Sequence, residues 1–247
     1  MTERTLRLTL EYDGTDFCGW QLQDGQRTVQ GVLEQAIHEM SGETVRVRGA
    51  GRTDSGVHAK GQVAAFSTAT SIPAIGFLRG LNGLLPRDVA VVAAEDAPPG
   101  FDPRRHARGK IYRYTFWNQE VRTPLYERYT WHVRAPLDVA AMARAGEVLV
   151  GEHDFSAFRA ADCERVSTVR RVRRVEVRKS GPLVEVDVEA TAFLKNMVRI
   201  MAGTLCAVGR GEMTADDVAR ILAERDRSRA GMTAPPSGLC LIAVQYW

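Results

Sequence analysis

Residues 49–61 read GAGRTDSGVHAKG and join two segments, Val45–Arg48 and Gln62–Phe66, in which apolar and polar residues alternate. Alternation with a period of two is typical of strands, so we expect this stretch to connect two strands. Its four glycines indicate tight, unusual backbone and close approach by a partner. The stretch has neither the Gly-Lys-Ser/Thr ending of a Walker loop nor the glycine spacing of a dinucleotide-binding motif.

One carboxylate lies within this connection, that of Asp54, and Arg52 precedes it by two residues. A neighbouring guanidinium favours the ionised form of a carboxylate. An ionised carboxylate suits a nucleophile or a base rather than a general acid. The same residues also fit a self-hydrogen-bonded turn in which Asp54 accepts from nearby backbone amides. The chemistry of the residues alone leaves both interpretations open.

The flanking segments predict two similar halves. In the first half we expect, in chain order, a strand Leu6–Tyr12, a helix Val29–Met40, strands Val45–Arg48 and Gln62–Phe66, a helix Pro73–Leu85 with Pro73 in its first turn, and a strand Val89–Ala94. In the second we expect a strand Ile111–Trp117, a helix Asp138–Val150, strands Val172–Arg178 and Leu183–Val188, a helix Phe193–Val208, a helix capped by Thr214 with Asp217, and a strand Leu239–Tyr246. The order β-α-β-β-α-β is that of the split βαβ motif.

These elements predict an α+β fold of two split-βαβ halves, similar to RRM or ferredoxin-like domains, packed side by side with mainly antiparallel sheets and a groove between them. The proline-rich stretch Pro98–Pro103 is the best candidate linker. We therefore expect an N-terminal half, residues 1–103, that carries the Asp54 loop, and a C-terminal half, residues 104–247.

The composition is that of a globular protein, with 45% apolar and 26% charged residues and a net charge of +3. No run approaches the roughly 20 apolar residues of a membrane span, and Met1–Leu10 has no signal-peptide pattern. Four cysteines lie far apart, without metal or redox spacing: Cys18, Cys163, Cys206 and Cys240. We expect reduced thiols and a cytoplasmic protein.

The basic residues are mostly arginine, and they cluster. One cluster, Arg104, Arg105, Arg108, Lys110 and Arg113, surrounds the aromatic residues Tyr112 and Tyr114. A second consists of Arg165, Arg170, Arg171, Arg173, Arg174, Arg178 and Lys179. Basic segments interleaved with aromatic residues are typical of proteins that bind looped RNA. A GC-rich genome would also enrich arginine, and the second cluster also fits a solvated strand face.

The segment 49–61 resembles the Ala-Gly-Arg-Thr-Asp-x-Gly-Val-His signature of the TruA-type tRNA pseudouridine synthases. Further motifs carry the resemblance along nearly the whole chain: Glu11–Thr15 with Gly19–Gln21, Asn82 with Leu85, Pro86 and Asp88, Tyr112–Tyr114, His153–Arg159, Ala192–Leu194 with Met197–Arg199, and Gly238–Leu239 with Val244–Tyr246. One departure is Phe101-Asp102-Pro103-Arg104, where the family usually has Phe-His-Ala-Arg. It puts in doubt local RNA contacts there, not the chemistry.

The resemblance implies an isomerase that converts uridine to pseudouridine at positions 38, 39 and 40 in the anticodon stem-loop of tRNA. It implies a homodimer with an RNA-binding cleft, and neither cofactor nor metal. Asp54 would be the catalytic carboxylate, and Tyr112 would pack on the target uracil. Arg199 would be the basic residue that pairs with the carboxylate, on a helix face shared with Lys195, and Arg52 would support a flipped base or a phosphate.

Two other functions remain to be weighed. A non-catalytic tandem RRM-like RNA-binding protein would display surface aromatics, and Tyr112 and Tyr114 are candidates for that role. Without the resemblance, a core strand residue is the favoured interpretation of Tyr112. A hydrolase would need a second carboxylate or a histidine placed beside Asp54, and none is adjacent.

Overall fold

The computed structural model describes residues 3–163 and 166–246. Arg165, a member of the predicted second basic cluster, lies outside the described residues. The chain forms two compact units, Met1–Arg108 with Leu241–Trp247, and Gly109–Cys240. The assignment of functional halves to residues 1–103 and 104–247 stays a prediction.

The first unit contains strands and helices in the predicted order. They are β1 (Arg4–Tyr12), α1 (Val29–Ser41), β2 (Arg48–Gly49), β3 (His58–Thr68), α2 (Ala74–Leu84) and β4 (Val89–Ala97). β1 lies between β4 and β3 and is antiparallel to both, and β2 pairs with β3. The alternate residues Leu6, Leu8 and Leu10 of β1 are fully buried, which is the period-two pattern of a strand with one face on a core.

The second unit is also built of mostly antiparallel strands with helices. Its elements are β5 (Gly109–Asn118), β6 (Trp131–Val133), α3 (Val139–Val148), β7 (Gly151–Asp154), β8 (Val169–Ser180), β9 (Leu183–Ala190), α4 (Met197–Gly209) and α5 (Ala215–Glu224). The strands lie in the order β5, β9, β8, β7, and β6 pairs with β5 in parallel. Short 3₁₀ helices occur at Glu127–Tyr129, Ser156–Phe158, Arg227–Arg229 and Pro236–Gly238.

The last strand, β10 (Leu239–Gln245), returns the chain to the first unit, where it lies beside β3. The two strands approach closely at Gly61, because a Cβ atom at that position would come 2.5 Å from the backbone oxygen of Ile242. Among residues 3–163 and 166–246, no helix combines the length and apolar character needed to cross a membrane.

Two helix boundaries show how local side chains define the elements. Thr28 caps α1, its hydroxyl accepting a hydrogen bond from the Gly31 amide, and Gly42 ends the helix with a positive φ of 74°. The predicted cap of α5 is confirmed, because Thr214 and Asp217 form a reciprocal capping box.

The strand predicted over Val45–Arg48 was wrong in extent, because only Arg48–Gly49 is a strand. Side chains of α1, rather than a neighbouring strand, form hydrogen bonds with the backbone of Val47. The Val47 amide donates to the Glu34 carboxylate at 2.9 Å, and the Gln30 amide donates to the Val47 carbonyl at 3.2 Å. Pro73 was also misplaced by one position, since it precedes the first turn of α2 as its N-cap.

The helix predicted over Phe193–Val208 begins four residues later, at Met197. Asn196 has φ 60° and ψ 6°, a left-handed conformation that a right-handed helix cannot contain. Lys195 therefore lies ahead of α4, where its ammonium group contacts the Asp162 carboxylate at 2.5 Å. The predicted face shared by Lys195 and Arg199 was wrong for this reason.

Candidate active site

Asp54 lies half-buried on the connection between β2 and β3. Backbone hydrogen bonds fix the chain on both sides of it. The Trp20 amide donates to the Thr53 carbonyl at 3.0 Å, and the Val57 amide donates to the Asp54 carbonyl at 3.1 Å. The bond from Val57 closes the turn through the backbone oxygen of Asp54.

The chain packs tightly against this turn. A Cβ atom at Gly19 would come 2.7 Å from the Thr53 carbonyl oxygen, and one at Gly49 would come 2.6 Å from the Trp20 ring. Both contacts are shorter than ordinary van der Waals distances, so these positions exclude a side chain. The groups that approach Gly19 and Gly49 belong to the protein itself: the backbone of Thr53 and the indole ring of Trp20.

Beneath the turn lies a group of buried polar side chains. The Tyr12 hydroxyl is 2.8 Å from the Thr53 hydroxyl, and the Gln62 amide donates to the Gly51 carbonyl at 2.8 Å. The amide nitrogen of Gln62 is also 3.4 Å from the Tyr12 hydroxyl. Tyr12, Thr53 and Gln62 are 3%, 5% and 0% exposed. None of the three was predicted to take part in the site, although Tyr12 and Thr53 lie within the motifs Glu11–Thr15 and 49–61.

His58 follows the turn at the start of β3 and is buried. Its Nδ1 atom accepts a hydrogen bond from the Gly14 amide at 3.1 Å and lies 3.2 Å from the Asp13 carboxylate. These contacts join the residues after β1 to the end of the Asp54 loop. Arg52, by contrast, is exposed.

Tyr112 lies in β5 of the second unit and is 8% exposed. Its ring meets the Phe193 ring edge-to-face, with centroids 5.0 Å apart. Tyr114 is fully buried on the same face of the strand, and its hydroxyl donates to the Pro235 carbonyl at 2.8 Å. Burial raises the pKa of the Tyr114 hydroxyl well above its usual value, and the nearby charge of Arg199 offsets only part of that rise.

Arg199 lies in the first turn of α4 and is held by two neighbours. Its Nε atom donates to the Ala234 carbonyl at 2.7 Å, and its Nη1 atom donates to the side-chain oxygen of Asn196 at 3.0 Å. The Ala234 amide in turn donates to the Arg199 carbonyl at 3.1 Å. Asn196 and Ala234 were missed from the sequence, although an asparagine three residues before a motif arginine was a usable signal.

Three arginines of the second basic cluster, together with Arg113 of the first, pair with carboxylates of β8 and β9. Arg113, Arg173, Arg174 and Arg178 form ion pairs with Glu176, Glu185, Asp187 and Glu189. Asp187, 5% exposed, accepts from Arg113 Nε at 2.7 Å and from Arg178 Nη2 at 2.8 Å. Burial raises the pKa of Asp187, but the bonds and charges of the two arginines lower it further, to below its usual value.

Residues Phe101–Arg104, which depart from the family pattern, form a local turn before β5. The Asp102 carboxylate accepts from the backbone amides of Arg104 and Arg105 at 2.9 and 2.8 Å, a self-bonded Asx turn. The side chains of Arg104 and Arg105 are exposed. Within the described residues, no group of three or more His, Cys, Asp or Glu side chains is arranged to hold a metal ion.

The predicted site residues thus fall in both units. Asp54 and Arg52 lie in the first unit, and Tyr112 and Arg199 lie in the second. Tyr112 lies on β5 and Arg199 on α4, whereas Asp54 and the exposed Arg52 lie on the loop between β2 and β3.

Comparison with known proteins is consistent with the resemblance seen in the sequence. A family described as tRNA pseudouridine synthase matches residues 9–104 and 145–247, ranges that include Asp54 and Arg199 but not Tyr112. Proteins named tRNA pseudouridine synthase A are similar over 98% of this chain. Those of Pelobacter propionicus and Geobacter sulfurreducens are 50% and 51% identical and are covered completely, and that of Myxococcus xanthus is 52% identical and 91% covered.

A solved structure described as a Cbf5-Nop10-Gar1 complex has a TM-score of 0.38 at 12% identity, covering 95% of this chain and 57% of that one, which is too distant for an argument. The family match extends over most of the chain, and relatives about half identical match it nearly end to end. The chain therefore belongs to the TruA-type family of tRNA pseudouridine synthases.

Proposed function

We propose that this chain converts uridine to pseudouridine at positions 38, 39 and 40 in the anticodon stem-loop of tRNA, with Asp54 as the catalytic carboxylate. The coarser part, an isomerase acting on tRNA, follows from membership of the family. We also propose that it works as a cytoplasmic homodimer, without cofactor, and that its two units are split-βαβ halves. The antiparallel order β4, β1, β3 in the first unit supports the last point.

The reaction rearranges bonds within one nucleotide. The bond between N1 and C1′ breaks, the uracil turns, C5 bonds to C1′, and the C5 proton leaves to solvent while N1 gains one. Asp54 attacks C1′, adds to C6 or removes a sugar proton, and each of these roles needs an ionised carboxylate close to a flipped nucleotide. Nothing is oxidised, and no group is imported.

The observation that carries the assignment is the way in which the Asp54 turn is held. Backbone bonds from Trp20 and Val57 fix the chain on both sides of Asp54, whose side chain is half-buried. A carboxylate placed on a rigid bend meets the demand of a reaction that requires one positioned anion. Its place within the matched range 9–104 supports the same role.

Three further residues complete the proposed site. Tyr112 packs on the target uracil, and its hydroxyl assists removal of the C5 proton. Arg199 is the basic residue of the site, and its guanidinium is supported by Asn196 and Ala234. Arg52, exposed beside Asp54, supports the flipped base or a phosphate.

The alternative of a non-catalytic RNA-binding protein is disfavoured by the burial of Tyr114. Such a module stacks successive bases on a pair of exposed aromatics of its central strands. Tyr114 is 0% exposed, and its hydroxyl is bonded to Pro235. Tyr112 and Tyr114 therefore cannot act together as an open stacking surface of that kind.

The decisive measurement is tritium release from tRNA transcripts labelled at C5 of uridine. Wild type should release tritium, whereas Asp54→Asn, which keeps the shape and removes the charge, should release almost none. Asp24→Asn, at an exposed turn, is the matched control and should behave as wild type. Absence of release with wild type would refute the function, and normal release with Asp54→Asn would refute the assignment. Transcripts with a single uridine at 38, 39 or 40 test the position.

A further inference from the structure

Three polar side chains below the Asp54 turn, those of Tyr12, Thr53 and Gln62, form one hydrogen-bonded chain. The Gly51 carbonyl can only accept, so the amide nitrogen of Gln62, not its oxygen, faces Gly51. The same nitrogen therefore points its second proton towards the Tyr12 oxygen. The Tyr12 and Thr53 hydroxyl oxygens are 2.8 Å apart, and either can be the donor of the hydrogen bond between them.

The chain connects two strands to the residue before Asp54. Tyr12 ends β1, at a bulge where the register with β3 shifts between Leu10 and Tyr12. Gln62 lies within β3. Thr53 is thus bound through its side chain to Tyr12 and through its carbonyl to the Trp20 amide. Two independent attachments on the preceding residue leave the backbone of Asp54 little freedom to rotate.

The stability of the fold alone does not explain this chain of buried polar side chains. The side-chain oxygen of Gln62 is buried and accepts no hydrogen bond from the described residues, and burial of an unsatisfied polar atom is unfavourable. Ala64, two residues further on and on the same face of β3, is buried and apolar. A buried polar chain that reaches a candidate catalytic loop points to a role in geometry.

We infer that Tyr12, Thr53 and Gln62 are positioning residues that set the orientation of the Asp54 carboxylate towards the target nucleotide. They do not touch the nucleotide themselves. The inference rests on the proposed function, in which Asp54 is the reacting carboxylate. Loss of the chain should slow the chemical step and leave tRNA affinity unchanged.

The test compares single-turnover rates at saturating enzyme with tRNA dissociation constants. Tyr12→Phe and Thr53→Val each remove one hydroxyl and keep the shape, and each should lower the single-turnover rate about tenfold to a hundredfold, the scale expected when a reacting group shifts by about 1 Å. Thr53→Ser keeps the hydroxyl and should restore most of the rate. The Kd for tRNA should change less than about twofold.

Thr68→Val is the matched structural control. Thr68 is buried in the same strand, and its hydroxyl is bonded to Glu43, at the end of β3 away from the loop. Its variant should lose stability but keep the wild-type rate. The double variant Tyr12→Phe/Thr53→Val should be no slower than the slower single variant, because both remove the same bond.

The outcomes separate this inference from the proposed function. A wild type that releases no tritium overturns the function and the inference together. An active wild type that is inactivated by Asp54→Asn, but whose Tyr12→Phe and Thr53→Val variants match Thr68→Val in rate, overturns the inference alone. A rise in Kd that accounts for the lost rate, or a Thr53→Ser variant as slow as Thr53→Val, also overturns it.

Discussion

The side-chain oxygen of Asn196 accepts a hydrogen bond from the Arg199 side chain and does not cap a backbone amide of α4. Asparagine is among the best helix caps, yet Asn196 forms no side-chain cap bond with α4. Its oxygen accepts instead from Arg199 Nη1 at 3.0 Å. Arg199 lies in the first turn, where the helix dipole disfavours a cation. The local structure of α4 is therefore adapted to hold this guanidinium in place.

Substitutions of Asn196 should separate backbone strain from support of Arg199. Asn196→Ala loses the bond and places alanine at φ 60°, so it should destabilise the second unit more than Asn196→Gly, by about 1 kcal/mol. Urea unfolding measures the difference. Both variants should lose activity to a similar extent, because both release Arg199. Full activity of Asn196→Gly would show that the asparagine side chain does not support Arg199.

Gly19 should be intolerant of a side chain, because it combines a φ of 86° with a Cβ position 2.7 Å from the Thr53 carbonyl. Gly19→Ala should therefore lower both stability and the rate of tritium release. Gly25 has a φ of 70° but open space around its Cβ position, so Gly25→Ala should show only the conformational cost of about 1–2 kcal/mol. Thermal unfolding and single-turnover rates of the two variants measure the comparison. Equal effects on the rate would contradict the close packing against the Asp54 turn.

Asp187 should make the stability of the second unit depend on pH. Its folded pKa is lowered, so its contribution is fully present above the unfolded pKa of about 4 and is lost as pH falls through the folded pKa. Asp187→Asn should cost about 1–3 kcal/mol at pH 7, a figure reduced from that of a fully buried pair because Arg178 is partly exposed. The difference from wild type in urea unfolding should shrink below pH 4. A difference independent of pH would exclude the carboxylate charge as its source.

The two basic clusters should differ in their effect on tRNA binding. Arg104 and Arg105 have exposed side chains, so alanine at either should weaken binding and reduce the slope of log K against log salt by about 1. Arg178 is paired with Glu176 and Asp187, so Arg178→Ala should leave the slope nearly unchanged. Filter binding over a salt series measures both. A salt slope that is reduced by Arg178→Ala but not by alanine at Arg104 or Arg105 would place the RNA along β8.

The sequence predicted elements whose signals are local. Thr214 and Asp217 stand three apart and form the cap of α5, as their spacing indicates. The late start of α4 was missed because it depends on the conformation of Asn196, which is bonded to Arg199 rather than to the helix. The short β2 was missed because Glu34, a helix residue, satisfies the backbone of Val47. A pattern of apolar spacing contains no information about such bonds.

Only part of the candidate site could be predicted from the sequence, for a related reason. Asp54 was identified by a motif that keeps its residues adjacent, whereas Tyr12 and Gln62 reach the loop only once β1 and β3 have paired. Tyr12 lies 41 residues before Thr53 and 50 residues before Gln62, so these hydrogen bonds cannot be predicted from local sequence, although Tyr12 itself lies in the motif Glu11–Thr15. The roles of Asp54, Tyr112, Arg199 and Arg52 stay predictions until their variants are measured.

The placement of β10 beside β3 has a consequence for biosynthesis. A ribosome makes β3 long before β10, because the whole second unit is translated between them. At roughly 5–20 residues per second, the nascent first unit waits about 10 to 30 seconds with one strand edge open. An open edge invites association with other chains, so this interval is when chaperones would matter most. The strand that leads out of the Asp54 turn gains its last neighbour only after the second unit has been translated.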